Sequence, residues 1–429
     1  MEWGLLGSEQ LAGSRRTRTL GLGSAVRKFN HLAVPGLGGV WFAKQIFLAT
    51  LGVHIADRLR PKYPNVKAIE LANAVEALAC WCAFRSNGWA RDSRLRGSQK
   101  LAGKGHLTFL QLCQPRFYVA QPMRMATVEP LVDLGFVEPG SQRFNSFRCT
   151  QAGRDLVEAA TTEYRPYNAT VEDYLVNAYK DGTIKDTDKL RDALSPLVAV
   201  PFDARALIRD KLCAGAGLNP AAARRKNALG WVRSVDTRNP AGWESKPQVL
   251  DPNHWNDLRS GAWFFKTRDA AVHVLNTIEA QMAPLATQRL SADAACELSP
   301  VQTGLKALRE DAQRFLNENN DPTEGRVAMT FCHECIEDGP AAIIRNLVKR
   351  DDRVLRLEGN DVRPGAAFSI RPEMEPSDEE GGDFGSDDAG RVPVPPNISG
   401  RISNLYLLEL DLQGRLEEFL NPPVTDEAA

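Results

Sequence analysis

The sequence of 429 residues lacks the signatures of several large enzyme classes. It contains no Gly-rich phosphate loop of the Walker type, which argues against nucleotide hydrolysis by the chain itself. It also lacks the Gly-x-Ser-x-Gly turn that carries the nucleophile of many hydrolases. A non-catalytic role without a cofactor is therefore the simpler expectation.

A cysteine framework and a long apolar run are missing as well. The eight cysteines are scattered, which favours reduced thiols and a cytoplasmic protein. The most apolar stretch, residues 32–56, contains Lys44 and His54, whereas a membrane span needs about 20 mainly apolar residues. The sequence predicts a core helix at about residues 40–60 and no membrane association.

Charge is distributed unevenly, although the net charge is only −1. Residues 1–150 contain 20 Lys and Arg against 9 Asp and Glu, a balance of +11, and residues 151–429 contain 33 against 45, a balance of −12. A basic half favours a polyanionic partner such as nucleic acid. The alternative is that the two halves neutralise each other by packing together.

The periodicity of apolar residues predicts a mainly α fold of several helical units with small β-hairpins. Helical spacing is clear in residues 66–84, 256–282 and 301–318. Residues 373–390 carry eight acidic residues and no basic one, which is typical of disorder. The predicted regions are a basic N-terminal part with a winged-helix-like region (1–160), a helical middle region (161–290), a helical unit with a possible second wing (291–370), an acidic disordered linker (371–395) and a C-terminal strand and helix (396–429).

The segment LVDLGFVEPGSQRFNSFRCTQAGRDLVEAA, residues 131–160, contains the main motif. A helix is predicted to end at Gly135, because glycine readily adopts the left-handed conformation that closes helices. Two short strands then form a hairpin, and Thr150 caps the next helix with its hydroxyl group. The order is therefore helix, basic hairpin, helix.

This order resembles the winged-helix regions of bacterial transcription regulators, over about residues 68–160. In that family a recognition helix ends in a Leu-Gly-hydrophobic turn, here 134–136. The hairpin, or wing, returns into a hydrophobic-Thr-x-x-Gly-Arg helix start, here 149–154. The resemblance implies DNA binding. Pro130, Glu129 and Asp133 depart from it, since proline interrupts a helix and phosphates repel carboxylates.

Two groups of basic residues are predicted to contact phosphates. The first belongs to the winged-helix-like region and consists of Arg124, Arg143 and Arg148. The second lies in a glycine-rich loop, residues 85–106, and consists of Arg85, Arg91, Arg94, Arg96, Lys100 and Lys104. Phosphate contacts need mobile positive charge, although the same loop could simply be a solvated surface.

We therefore expect a non-catalytic DNA-binding subunit of a bacterial multi-protein assembly, with other protein subunits as partners. Its general appearance is similar to accessory subunits of anti-phage defence systems. One alternative is a metal-dependent nuclease with Asp236, Glu244 and Lys246 as its site. Another is a protein-binding scaffold. Cys332 and Cys335 have the spacing of half a zinc site, but buried thiols are favoured because no second pair lies nearby.

Overall fold

The computed structural model describes residues 18–422, except residues 142, 183, 216, 237–239, 337–338 and 369–389. The protein is mainly helical, as the sequence predicts. The helices within the described residues are α1 (Gly23–Ala33), α2 (Ala43–Leu59), α3 (Ala68–Ser86), α4 (Ser98–Leu101), α5 (Phe109–Leu112), α6 (Val128–Asp133), α7 (Gln151–Thr161), α8 (Val171–Asp181), α9 (Asp188–Leu194), α10 (Phe202–Cys213), α11 (Pro220–Ser234), α12 (Pro252–Met282), α13 (Ala292–Cys296), α14 (Ser299–Glu318), α15 (Val327–Glu334), α16 (Pro340–Asp351), α17 (Gly400–Gln413) and α18 (Leu416–Leu420). The strands are β1 (Val137–Pro139), β2 (Phe147–Cys149), β3 (Leu290–Ser291), β4 (Leu355–Glu358) and β5 (Asp361–Pro364).

The chain forms two units, each assembled from segments that are distant in sequence. Unit 1 contains the described residues 18–29, 255–368 and 396–399. Unit 2 contains the described residues 30–254, 390–395 and 400–422. Most of the acidic segment predicted at 371–395 lies outside the described residues.

The centre of unit 2 is the helix pair α2 and α3. Nearly every residue of α2 is buried, which confirms the predicted core helix. The two helices approach closely because Gly52 has no side chain. A Cβ atom at this position would lie only 2.3 Å from Cα of Ala72. Lys44 is buried in the same helix and donates a hydrogen bond to the carbonyl oxygen of Ala193 at 3.0 Å.

The last long helix, α17, corrects the sequence prediction of a C-terminal strand. Residues 402–412 are all buried, although they include Ser403, Asn404, Glu409 and Asp411. Apolar and charged residues alternate at 408–412, a pattern that favours a strand over a helix, so the sequence does not reveal the helical period.

Unit 1 packs α12, α14, α15 and α16 around aromatic rings. Phe29 stacks on Phe264, with ring centroids 5.2 Å apart. In the region predicted to contain a possible second wing, 291–370, helix α16 is followed by the antiparallel pair β4–β5. Strand β3, which the sequence did not predict, pairs with β5 and gives the strand order β3-β5-β4.

The eight cysteines, all among the described residues, are free thiols, and six of them are buried. No helix within the described ranges has both the length and the apolar character that a membrane crossing requires.

Candidate nucleic-acid interface

The helix–hairpin–helix segment of unit 2 has the local geometry that its sequence predicts. Gly135 follows α6 with φ +74°, the left-handed conformation expected after a helix end. Strands β1 and β2 pair antiparallel, with Val137 opposite Cys149. The hydroxyl oxygen of Thr150 accepts a hydrogen bond from the backbone of Gly153 at 3.1 Å and donates one to the carbonyl of Gly135 at 2.7 Å. Thr150 therefore caps α7 and ties it to the end of α6.

Gly153 allows α7 to lie directly against the start of the hairpin. A Cβ atom at this position would lie 2.2 Å from the carbonyl oxygen of Phe136. Arg154 donates a hydrogen bond to the carbonyl oxygen of Cys149 at 2.8 Å. The Gly-Arg pair of the predicted helix start thus fixes the hairpin in place.

The two phenylalanines of the hairpin point inward, and the two arginines point outward. Phe144 and Phe147 are 7% and 1% exposed, with ring centroids 5.0 Å apart. Arg143 and Arg148 are exposed. At the tip, the hydroxyl of Ser146 donates to the carbonyl of Arg143 at 2.7 Å. The aromatic rings therefore anchor the hairpin and leave its arginines accessible to a ligand.

A third arginine, Arg60, joins the hairpin from the end of α2. Arg60 donates hydrogen bonds to the carbonyl oxygens of Asn145 and Phe147, at 3.2 and 3.5 Å. It also forms an ion pair with Asp57, and Nε of Arg148 lies 3.6 Å from the same carboxylate. Burial and the charge of Arg148 lower the pKa of Arg60. Two guanidinium groups thus share one carboxylate, and the hairpin carries excess positive charge. We call Arg60, Arg143 and Arg148 the hairpin cluster.

Sequence reasoning missed Arg60, although a signal was present. The stretch DRLRPKYPNVK, residues 57–67, contains four Lys and Arg directly after an apolar helix. Arg58 pairs with Asp173 at 2.6 Å, and Lys62 is exposed beside the ring of Tyr63. A basic run at a helix end was the clue, but its position beside the hairpin depends on the tertiary fold.

Helix α6, the candidate recognition helix, is short and engaged by its own unit. It has six residues, and Pro130 lies in its first turn, where proline is tolerated. The carboxylate of Glu129 receives hydrogen bonds from Arg401 at 3.1 and 2.6 Å and lies 3.0 Å from Nδ1 of His31. Burial would raise the pKa of Glu129, but these partners hold it at about 2.

The other acidic residue of α6, Asp133, is also in close contact with unit 2. A Cβ atom at Gly36 would lie 2.7 Å from its side chain, and a Cβ atom at Gly38 would lie 2.8 Å from the ring of Pro130. Pro130 and Asp133 are three positions apart and share one face of α6, so the segment of Gly36 and Gly38 covers that face. Because α6 has only six residues and one covered face, we place the candidate interface on the hairpin.

Arg124, predicted at the start of that helix, lies beneath the hairpin. Its guanidinium donates to the side chain of Asn73 at 2.6 Å and lies 5.5 Å from the ring centre of Phe144. The side chain is half-buried. Arg124 therefore supports the hairpin from below and contributes to its positive potential.

The six basic residues of the predicted loop do not form one mobile surface. Arg94 is 5% exposed and pairs with Asp92 and Glu417, each at 2.7 Å, so its role as a phosphate contact is corrected to a structural one. Arg91 and Lys100 are exposed, and Lys100 belongs to the short helix α4. Arg96 is half-buried.

The remaining two loop residues lie against aromatic rings. Arg85 lies 4.6 Å from the ring centre of Trp81, and Nζ of Lys104 lies 5.0 Å from that of Phe117. Trp81 in turn donates to the carbonyl oxygen of Lys104 at 2.9 Å. These contacts place Arg85 and Lys104 together at the C-terminal end of α3.

The hairpin lies at the opposite end of α3. Asn145 of the hairpin accepts a hydrogen bond from the backbone of Ile69, in the first turn of α3, at 3.0 Å. Sixteen residues separate Ile69 from Arg85, which corresponds to about 24 Å along a helix. The predicted contact residues thus form two separate groups.

Other candidate sites have simple structural environments. Nζ of Lys246 donates to the backbone carbonyls of Leu250 and Pro247, at 2.6 and 3.1 Å. Among the described residues, no group of three or more His, Cys, Asp and Glu side chains is arranged to hold a metal ion. Burial raises the pKa of the Cys335 thiol to about 12 and also raises the pKa of the Cys332 thiol. Buried thiols are therefore less reactive than free cysteine.

His254 lies at the start of α12 and is fully buried, and Nε2 is 2.9 Å from the carbonyl oxygen of Ala33. The ring therefore packs inside unit 2.

No protein-family model matches the chain, and neither the curated proteins nor the solved structures include one with significant similarity to it.

Proposed function

We propose that unit 2 binds duplex DNA through the hairpin cluster, which contacts the phosphate backbone in the manner of a wing. The observation that carries this proposal is the exposed pair Arg143 and Arg148 on a hairpin that buried Phe144 and Phe147 hold in place. The backbone of the hairpin is already ordered, so its arginines bind without the cost of ordering a loop and retain more free energy per contact than arginines on a mobile segment.

The charge around the hairpin supports the same ligand. Arg60 and Arg148 share Asp57, and Glu129 is already paired within the unit. Phosphate oxygens could accept the guanidinium hydrogen bonds that remain. Contacts of this kind are independent of sequence and weaken with salt, because binding releases counterions from DNA.

The test compares two double variants of the full chain, each lacking two exposed positive charges. One is Arg143→Ala with Arg148→Ala, and the control is Arg91→Ala with Lys100→Ala. Removal of Arg148 leaves Asp57 paired with Arg60, so the fold should persist. Affinity for a labelled duplex of about 20 base pairs is measured by fluorescence anisotropy over a series of salt concentrations.

The hairpin variant should lose at least about tenfold more affinity than the control, since a charge-assisted hydrogen bond contributes about 1.5–3 kcal/mol. Equal losses would indicate a general electrostatic field, and full affinity in the hairpin variant would reassign the hairpin to protein binding or to structure. Binding of wild type that does not change with salt would contradict phosphate recognition.

The wider role remains a prediction from the sequence. A subunit of a bacterial assembly should co-purify in a defined complex with other proteins, whereas a nuclease with a site at Asp236, Glu244 and Lys246 should cleave DNA when a divalent metal is added.

A further inference from the structure

Two stacked tyrosines form an exposed surface in unit 2 that the hairpin does not include. Tyr167 is 60% exposed. Its ring lies nearly parallel to that of Tyr174, with an angle of 10° between the planes and 6.3 Å between the centroids. Nζ of Lys185 lies 5.5 Å from the ring centre of Tyr167. We call these three residues the tyrosine platform.

Hydrogen bonds hold the platform together. The hydroxyl group of Tyr174 donates to the carbonyl oxygen of Lys185 and accepts from its backbone nitrogen, both at 2.7 Å. The turn that carries Lys185 is therefore fixed to α8, which carries Tyr174. The ammonium group and the two rings are positioned before any ligand binds.

The backbone of Tyr167 adopts a strained, left-handed conformation. Its φ and ψ are 51° and 37°, and φ of the next residue, Asn168, is 62°. Bulky side chains rarely adopt positive φ, and residues held there concentrate at functional positions. The preceding Pro166 is buried and anchors the turn.

Positive charge continues from the platform towards α3. Asp186, next to Lys185, accepts from Arg191 at 3.3 Å and lies 3.5 Å from Arg85. Arg191 also pairs with Asp188 at 3.0 Å, and the side chain of Arg85 is 43% exposed. Lys185 and Arg85 therefore supply accessible positive charge beside the aromatic surface.

We infer that the tyrosine platform binds an unpaired nucleotide of a single-stranded nucleic acid, with a base on the ring of Tyr167 and phosphates at Lys185 and Arg85. A base is planar and its phosphate is anionic, which matches both parts of the site. A cationic ligand fits poorly, because the ammonium group of Lys185 would repel it. The inference rests on the proposed function only for the kind of ligand, since the tyrosine platform shares no residue with the hairpin cluster.

The experiment measures binding of labelled oligothymidylate of about 15 nucleotides to the full chain. Tyr167→Ala should weaken binding about tenfold, the loss expected when one stacking partner is removed. Tyr167→Phe keeps the ring and should bind like wild type. Both variants should bind duplex DNA with wild-type affinity, and circular dichroism should show an unchanged fold.

If Tyr167→Ala binds the single strand as tightly as wild type, the inference is wrong, and the exposed ring would instead be assigned to contact with a protein partner. Mononucleotide binding as tight as that of the oligonucleotide would assign the site to a free nucleotide and would overturn binding of a strand. If the protein binds duplex DNA but no single strand, the inference about the tyrosine platform is wrong and the proposed function of the hairpin cluster still holds. Loss of duplex binding in the hairpin variant, with single-strand binding retained, would support two separate sites.

Discussion

Arg401 on α17 holds Glu129 on α6 with two hydrogen bonds, although 272 positions separate them in the sequence. The same arginine donates to the carbonyl oxygen of Val34 at 3.2 Å. The carboxylate in the predicted recognition helix is thereby neutralised, so it does not repel phosphates near the hairpin. The pair also joins the segment before the hairpin to the last long helix of the unit.

Arg401→Met should lower the free energy of unfolding by about 2 kcal/mol at neutral pH, because Glu129 loses two charge-assisted hydrogen bonds. The pKa of Glu129 is about 2 in the folded protein, below its ordinary value. Its contribution is therefore complete above the ordinary pKa and disappears as the pH falls towards 2. Urea unfolding near neutral pH and at about pH 3 measures the difference.

The exposed Lys226 on α11 provides the control for this prediction, as Lys226→Met removes a positive charge from the same unit without a buried partner. It should change stability by less than about 0.5 kcal/mol. A difference between Arg401→Met and wild type that grows on acidification would contradict the assigned role of the ion pair.

Gly153→Ala should lower the free energy of unfolding of unit 2 by about 1–3 kcal/mol, because the new methyl group would lie 2.2 Å from the carbonyl oxygen of Phe136. Gly105→Ala is the control, since nothing lies within 4 Å of an added Cβ there. Thermal unfolding followed by circular dichroism compares the two variants. Equal melting temperatures would mean that α7 moves easily away from the hairpin, contrary to the close packing.

Local signals predicted one part of this site, and long-range contacts determined the other. Gly135, Thr150 and Gly153 are recognisable because their roles depend on backbone conformations within a few residues. The roles of Arg94 and Glu129 depend on Glu417 and Arg401, and no pattern in one sequence indicates such distant partners. The strand prediction at α17 was wrong for another reason, since apolar and charged residues alternate at 408–412 and both kinds are buried in the helix.

Glu76→Gln should remove a pH dependence of stability. Glu76 is fully buried on α3, accepts a hydrogen bond from the Tyr118 hydroxyl at 2.7 Å, and burial raises its pKa to about 7. The folded state therefore binds a proton more tightly than the unfolded state, so stability is highest below the ordinary pKa and is lost as the pH rises towards 7. The loss amounts to about 3 kcal/mol at most.

Urea titrations between about pH 5 and pH 8 should show this decline in wild type and a flatter curve in Glu76→Gln, whose side chain is neutral throughout. Tyr118→Phe, which keeps the carboxyl group, should retain the decline. Parallel curves for wild type and Glu76→Gln would show that Glu76 is not the titrating group.

Arg94→Met should lower the free energy of unfolding without lowering the affinity of the folded protein for duplex DNA. The buried guanidinium holds Asp92 and Glu417, so its loss leaves the half-buried Asp92 carboxylate without its partner and lowers the free energy of unfolding by about 1–3 kcal/mol. Duplex affinity of the folded protein should remain at the wild-type value when anisotropy is measured well below the melting temperature. A large loss of affinity with unchanged stability would restore Arg94 as a phosphate contact.

The long separation between Glu129 and Arg401 also sets an order of events during synthesis. At about 5–20 residues per second, a ribosome needs roughly 15–55 s to reach Arg401 after it has added Glu129. During that interval the hairpin sequence has been synthesised, but α17, whose Arg401 pairs with Glu129 of α6, has not. A fragment that ends at residue 160 resembles this early state, since it lacks α8 to α11 and α17 of unit 2. The nascent chain thus acquires its complete hairpin support late, after most of the 429 residues have been made.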